Sequence, residues 1–265
     1  MEHYEASRRE LPRLELLGEQ TLLACPRAGT ETIWERLPPL RTDARRLALN
    51  RIVTITRSRP NPAHAAFDII RTKLLQELTQ HNWTTVGITS PTASCGKTVV
   101  ALNLAFSLAN QKECRTILVD LDLKRPQLAN TLGIEAPQPL ARFLMGEIDI
   151  GDVFLRHGNN LAIGANKQTV SFSAELLQSR ETVRVLEEMR QRMSPHVILF
   201  DMPPMLSNDD VLAFLPHVDC ALLVAAAEQS TLDEVDVCEQ ELSERTNVLG
   251  VVLNKCRFCP EKYGY

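Results

Sequence analysis

Residues suited to handling phosphate are gathered in three short segments of this chain. The first runs Thr89-Ser90-Pro91-Thr92-Ala93-Ser94-Cys95-Gly96-Lys97-Thr98, after the apolar Val86-Gly87-Ile88 and before Val99-Val100-Ala101-Leu102. This reads as a strand, a loop of small residues and a helix. Gly96 lets the backbone turn successive N–H groups inward, and the helix start adds its positive end, so N–H groups and dipole hold a phosphate together. In such a loop Lys97 reaches the β- and γ-phosphates and the Thr98 hydroxyl ligates Mg²⁺. The candidate nucleotide-binding set is therefore Thr92, Ala93, Ser94, Cys95, Gly96, Lys97, Thr98 and Val99. The strict phosphate-loop spacing is not met, because Pro91 stands where the first glycine belongs. Taken alone, the segment also fits a strand–turn–helix with an exposed lysine.

The second segment, Thr116-Ile117-Leu118-Val119-Asp120-Leu121-Asp122-Leu123-Lys124-Arg125-Pro126, is a buried strand ending in two carboxylates. Two residues apart at a strand end, Asp120 and Asp122 can face one side, where acids beside a phosphate site suit metal-bound water and proton acceptance. Lys124 and Arg125 follow as possible clamps for anionic groups. The third, Val197-Ile198-Leu199-Phe200-Asp201-Met202-Pro203-Pro204, is a second acidic strand end, of the kind that holds Mg²⁺ in phosphate-loop enzymes. Pro203 and Pro204 keep the chain from continuing as strand or helix. Three such segments in this order are far more specific than one, and they predict an ATP and Mg²⁺ site.

The elements that must position these residues follow from hydrophobic periodicity. Strands are expected over 84–89, 116–120, 161–164, 197–201, 221–225 and 248–254, mostly short apolar runs as in strands buried on both faces. Helices are expected over 97–110, 173–193 with a break near Ser179, 209–215 and 232–245. A leading amphipathic helix over 61–81 carries Phe67, Ile70, Leu74, Leu75 and Leu78 at spacings of three and four. Alternation of strand and helix implies an α/β fold: a mostly parallel sheet flanked by helices on both faces, with ligands at the carboxyl ends of the strands. Residues 61–258 make up that domain. Residues 1–60 read as a poorly ordered Arg-rich extension with a short helix over 11–23 and a short strand over 51–56, and 259–265 as a tail.

Composition excludes several classes. The chain has 265 residues, 44% hydrophobic and 23% charged, with a net charge of −4, which suits a globular protein and gives no nucleic-acid signature. Residues 1–60 hold 11 Arg, no Lys and 8 Asp or Glu, a local positive excess able to dock on an acidic partner. Seven cysteines, an odd number, suit a reducing compartment. Cys256 and Cys259 form a C-x-x-C without a second pair to complete a metal site. Cys95 is a thiol at a helix start, where acidification is possible. The charged opening residues are unlike a signal peptide, and no apolar run reaches the roughly 20 residues that span a bilayer. A cytoplasmic setting is expected.

The three segments together resemble the bacterial tyrosine kinases of capsule and exopolysaccharide biosynthesis, soluble kinase domains related to the partitioning and septum-site ATPases. Residues 90–98, 119–126 and 200–204 match that family's three phosphate motifs, and Ser173-Ala174-Glu175-Leu176-Leu177, Asp209-Asp210 and Val251-Val252-Leu253-Asn254-Lys255 look like further signatures. The resemblance covers residue 63 to the end. It implies ATP-dependent phosphorylation of tyrosines in the protein's own tail. Lys97 and the loop N–H groups would hold the phosphates, Thr98, Asp201 and Asp120 would organise Mg²⁺, Asp122 would accept the tyrosine proton, and Asn254 would meet the adenine. It also implies self-association and a membrane-embedded polysaccharide co-polymerase as partner, placing the protein against the inner membrane. The partitioning ATPases carry a lysine five residues before the loop lysine, where this chain has Thr92. The three tyrosines are Tyr4, Tyr263 and Tyr265, so the last two are the expected phosphoacceptors.

The chain departs from the family in places. The leading helix usually carries Glu-x-x-Arg-x-x-Arg for ring assembly; here those positions are Ala65, Asp68 and Arg71, leaving Arg71 to reach a neighbour's site. Lys124 replaces an arginine and Met202 a frequent threonine. Two other functions therefore compete with the kinase: a partitioning-type ATPase switch, and a nucleotide-binding module docking on a membrane polysaccharide protein with little catalysis.

Overall fold

The computed structural model describes residues 32–54, 62–135, 138–207 and 209–257. Tyr4, Tyr263, Tyr265, Cys259 and the expected helix over 11–23 lie outside them. In chain order the elements begin α1 (Ile33–Arg36), α2 (Ala44–Leu49), α3 (Pro62–His81), β1 (Thr85–Thr89), α4 (Lys97–Ala109), β2 (Thr116–Asp120) and α5 (Leu128–Leu132). Then follow α6 (Leu140–Leu144), α7 (Ile150–Val153), β3 (Phe154–His157), β4 (Leu161–Gly164), α8 (Ser173–Gln178), α9 (Arg180–Met193) and β5 (Val197–Asp201). The last elements are α10 (Asp210–Phe214), β6 (Cys220–Ala226), α11 (Leu232–Ser243) and β7 (Asn247–Asn254).

The seven strands form one sheet in the order β3-β4-β2-β5-β1-β6-β7. Every pair is parallel except β3 with β4. Strands β1, β2, β5 and β6 are buried along their whole length, because helices cover both faces and leave no solvated side for alternation. Helix α4 is buried nearly all round, from Val100 to Leu108, between the sheet and the Leu74 and Leu78 stripe of α3. Helix α9 turns Val185, Leu186, Met189 and Met193 to the other face. The break before it falls at Ser179, whose extended backbone leaves α8 and whose hydroxyl accepts the Thr182 N–H at 3.1 Å, capping α9.

Two features were not foreseen. Strand β3 is a short antiparallel edge strand whose Phe-Leu-Arg-His sequence has no strand period long enough to read. Its open edge is covered by residues 38–40, with Arg156 N–H donating to the Pro38 carbonyl and Leu40 N–H to the Arg156 carbonyl, both at 2.7 Å. The second correction concerns residues 32–54, which the sequence placed in a poorly ordered extension. Trp34, Leu37, Leu47 and Ile52 are buried in the two cores, and the Trp34 indole donates to the Met193 carbonyl at 2.8 Å. Residues 51–54 are not the expected strand; their polar groups are met by Asn103 of α4 instead.

Met202 also finds its reason in the packing. A Cβ on Gly87 would lie 2.7 Å from the Met202 sulfur, so the glycine leaves room for the longer side chain. Gly87→Ala should lower stability by about 1–3 kcal/mol through overpacking. Thermal denaturation checks this, and Met202→Ala on the same background should recover part of the loss.

Candidate functional site

The three phosphate segments meet at the carboxyl ends of β1, β2 and β5, which are neighbours in the sheet. Asp120 and Asp201 are register partners across the parallel β2–β5 pair, so the strands themselves bring the two acids side by side. The loop between β1 and α4 closes above them. Gly96 has a φ of 90°, a left-handed conformation in which glycine carries no Cβ penalty. A Cβ there would also collide with the Asn254 amide, so glycine is required twice over.

A cleft of about 670 Å³ opens on this end of the sheet. One wall is the loop, with Ser94, Gly96, Lys97 and Thr98; the other carries Asp122, Arg125 and Thr131. The Lys97 ammonium donates to Asp122 Oδ2 at 2.8 Å and lies 3.5 Å from Asp201 Oδ1. Burial works against the Lys97 charge, yet Asp201 and Asp122 outweigh it and hold the ammonium pKa above the ordinary lysine value. Asp120 is pushed well above the usual carboxylate range, first by burial and then by repulsion from Asp201. Asp201 is raised by burial as well, with Lys97 and the Thr98 hydroxyl pulling the other way.

Asp120 Oδ1 and Asp201 Oδ2 are both fully buried and have no hydrogen-bond partner among the described residues. Two orphaned carboxylate oxygens on register partners of adjacent strands, with the Thr98 hydroxyl beside Asp201, form an all-oxygen donor set of the kind a hard cation with its waters completes. The residues present therefore fit Mg²⁺. No cluster of three or more His, Cys, Asp or Glu side chains that could hold a metal occurs among the described residues.

The expected loop residues divide by role. Ala93, Ser94, Gly96, Lys97, Thr98 and Val99 line the cleft. Cys95 does not: it is fully buried, its sulfur lying between the Thr92 hydroxyl at 3.6 Å and the Ser230 hydroxyl at 3.5 Å. Thr92 thus braces the loop from beneath. Asn254 lies behind the loop and donates to the Cys95 carbonyl at 2.9 Å. Asp122 reaches the cleft, whereas Asp120 sits below it, fully buried. Lys124 is less available as an anion clamp than its sequence suggested. Its ammonium is held by Asp210 at 2.9 Å, and that hydrogen bond raises its pKa. Arg125 remains exposed at the rim, with its N–H donating to Asp122 Oδ1 at 3.1 Å.

Arg71, the one arginine left of the ring pattern, has intrachain partners: its guanidinium donates to Asp68 at 2.6 Å and to the Ser107 carbonyl and hydroxyl at 3.1 and 3.0 Å.

Other residues that serve the site carried no assigned role in the sequence. Gln229 donates to the Ala93 carbonyl at 2.9 Å and so pins the outer turn of the loop from the β6–α11 connection. Ser173 donates to Asp210 at 2.7 Å, tying α8 to the Lys124 ion pair. The pairs Ser173 with Asp210 and Gln229 with Ala93 are far apart in sequence, and no spacing rule announces them.

Comparison with known proteins finds bacterial tyrosine kinases similar to this chain. Tyrosine-protein kinase etk of Escherichia coli strain K12 is 27% identical over 199 residues, which cover 73% of this chain and 27% of that protein. Tyrosine-protein kinase CpsD of Streptococcus pneumoniae serotype 4 is 28% identical over 190 residues, covering 68% of this chain and 79% of that protein. The solved kinase domain of Escherichia coli tyrosine kinase ETK matches with a TM-score of 0.66 and 26% identity, over 76% of this chain and 80% of that one. The chain spans only about a quarter of the length of the Escherichia coli relatives it matches, 27% of each. Residues 85–237, more than half of the chain and the part that holds all three phosphate segments, match the AAA domain family. With the sheet order, the phosphate loop and the paired strand-end acids in place, the chain belongs to the AAA domain family, among relatives that are bacterial tyrosine-protein kinases.

Proposed function

We propose that this chain is an ATP-dependent protein-tyrosine kinase of the phosphate-loop type that modifies Tyr263 and Tyr265 and regulates capsule or exopolysaccharide assembly. The observation that carries the proposal is the position of Asp122. It lines the cleft, is held by the Lys97 ammonium on one oxygen and by the Arg125 N–H on the other, and so presents a fixed carboxylate beside the phosphate loop.

In this reading the loop N–H groups and Lys97 hold the ATP phosphates, and Thr98, Asp201 and Asp120 hold Mg²⁺. When bound, the ion neutralises phosphate charge, which is most of what phosphoryl transfer asks of a site. The tyrosine oxygen bonds to the γ-phosphorus as the bond to the bridging oxygen breaks. ADP leaves with that electron pair, and the phenolic proton passes to Asp122. A phenol with a pKa near 10 needs such an acceptor. Asn254 would contribute to the adenine side from behind the loop. The resemblance to the capsule and exopolysaccharide kinases points to a membrane-embedded polysaccharide co-polymerase as partner, with the chain peripheral to the membrane. No helix among the described residues is long and apolar enough to cross one.

The inward turn of Arg71 favours a second reading, a nucleotide-binding module that docks on such a partner with little turnover, since the ring contact expected of a kinase of this kind is spent within the chain. Mass spectrometry separates the two. After incubation with ATP and Mg²⁺, the peptide holding Tyr263 and Tyr265 should gain about 80 Da per site, with close to two negative charges each. Lys97→Met should abolish the gain. A wild-type protein that binds ATP yet shows no modified tail, with its membrane partner present, would leave the module reading standing.

A further inference from the structure

We infer that residues 46–54 form a strap that positions the Asp120 carboxylate by holding α5 in place. The inference rests on the ATP-site reading of Asp120. Helix α5 is five residues long, too short to be stable without tertiary support. Its first amide, Leu128 N–H, donates to Asp120 Oδ2 at 3.1 Å. The other oxygen of Asp120 has no partner among the described residues, so this one bond sets the rotation of the buried carboxylate.

The far end of α5 is held by the strap. Arg46 Nε donates to the Asn130 carbonyl at 3.1 Å and the Asn50 amide to the Thr131 carbonyl at 2.7 Å. Both are carbonyls of the last turn of α5, that of Asn130 also accepting the Gly133 N–H at 3.3 Å. Gly133, left-handed at a φ of 71°, ends α5 and lets the Arg46 stem lie against its backbone.

The strap is itself fixed to the phosphate-loop helix. Asn103 of α4 is fully buried. Its oxygen accepts the N–H groups of Val53 and Thr54 at 2.8 and 3.2 Å, and its amide donates to the carbonyls of Arg51 and Val99 at 3.0 and 2.9 Å. Leu47 and Ile52 bury beneath. Val99 and Thr131 line opposite walls of the cleft. The segment thus joins the wall that holds the phosphates to the helix that aims Asp120, and whatever pulls on residues 46–54 acts on both. Arg46 and Asn50 are positioning residues, remote from the reacting atoms.

The test uses the full chain with Arg46→Ala and Asn50→Ala combined. Arg46 is exposed and Asn50 half-buried, so the core anchors Leu47 and Ile52 keep the variant folded. Amide hydrogen exchange over residues 128–132 should accelerate at least about tenfold while 116–120 in β2 stays protected. The kcat for phosphoryl transfer should fall about tenfold with KM for ATP within about twofold, because the phosphate loop is untouched. Arg46→Lys, which keeps a donor, should restore most of both. Unchanged exchange overturns the strap. Faster exchange, or a lower melting temperature, with kcat unchanged overturns the positioning role. If the wild type transfers no phosphate, the kinase reading fails by itself, and the exchange result alone then decides the strap.

Discussion

Lys97→Met should weaken nucleotide binding and remove the proposed tail phosphorylation together, and should destabilise the fold as well. The Lys97 ammonium is the one cation among the described residues placed within reach of both Asp122 and Asp201 in the buried site. Losing one partner of a buried charged hydrogen bond costs about 2–5 kcal/mol of binding, a thirtyfold to several-thousandfold weakening for ATP. Calorimetric titration with a non-hydrolysable ATP analogue measures this directly, and binding within threefold of wild type would remove Lys97 from the site. The fold suffers because two buried carboxylates lose their counter-charge, a change worth about 3–5 kcal/mol when both stay ionised. The sign with pH is fixed by the shifts. The raised pKa of Lys97 means its contribution is fully present below the ordinary lysine value and is lost only as pH rises through the higher folded value, above about 10. The variant is therefore less stable across the neutral range. The gap narrows on acidification, because the raised pKa values of Asp120 and Asp201 let them take up protons before ordinary carboxylates do.

Asp120→Asn has the opposite effect on stability and the same effect on activity. Burial and the facing Asp201 hold the Asp120 carboxyl above its usual range, against the Leu128 N–H and Lys97. The folded protein thus binds this proton more tightly than the unfolded chain does. Stability from this group falls as pH rises from the unfolded value, near 3.9, through the raised folded one, and stays low above it. The amide removes that penalty, keeps an acceptor for Leu128 and can donate toward the orphaned Asp201 oxygen. At pH 7–8 and without nucleotide the variant should be more stable than the wild type, because burial and Asp201 no longer oppose a charge at this position. Its Tm should rise by about 2–4 °C per kcal/mol for a domain of this size. Turnover should drop a hundredfold or more, because a carboxylate of the proposed Mg²⁺ set is gone. A variant that melts below wild type at pH 8 would show that Asp120 is a structural acid. Together the two substitutions test one idea: the site keeps its acids together at a cost in stability, and Lys97 offsets only part of it.

Much of this was legible in the residues. Apolar runs of three and four residues ending in Asp mark β2 and β5, because a strand buried on both faces stays apolar until its end. The observed β2, β4 and β5 coincide with the expected spans, and the capping serine divides α8 from α9 at the expected place. Short edge elements were not legible. Strand β3 and the covering residues 38–40 pair because an edge is available, which is a property of the assembled sheet. The strap was misread for the same reason. Its arginines look like a solvated extension, but Asn103, buried in α4 50 residues later than Val53, meets its backbone.

What the sequence by itself determined is the inventory of chemistry and the ends of the elements that carry it: Gly96, Lys97 and Thr98 at a helix start, Asp120, Asp122 and Asp201 at strand ends. Local periodicity and residue type encode those, since helix starts and strand ends follow from a few neighbouring side chains. The tertiary structure alone decided which acids face one another, that Asp122 reaches the cleft while Asp120 is buried under it, that Cys95 and Thr92 lie beneath the loop, and that Arg71 turns inward. Those outcomes depend on the order of strands in the sheet and on contacts between residues far apart in the chain, which only packing into one core brings within hydrogen-bonding distance.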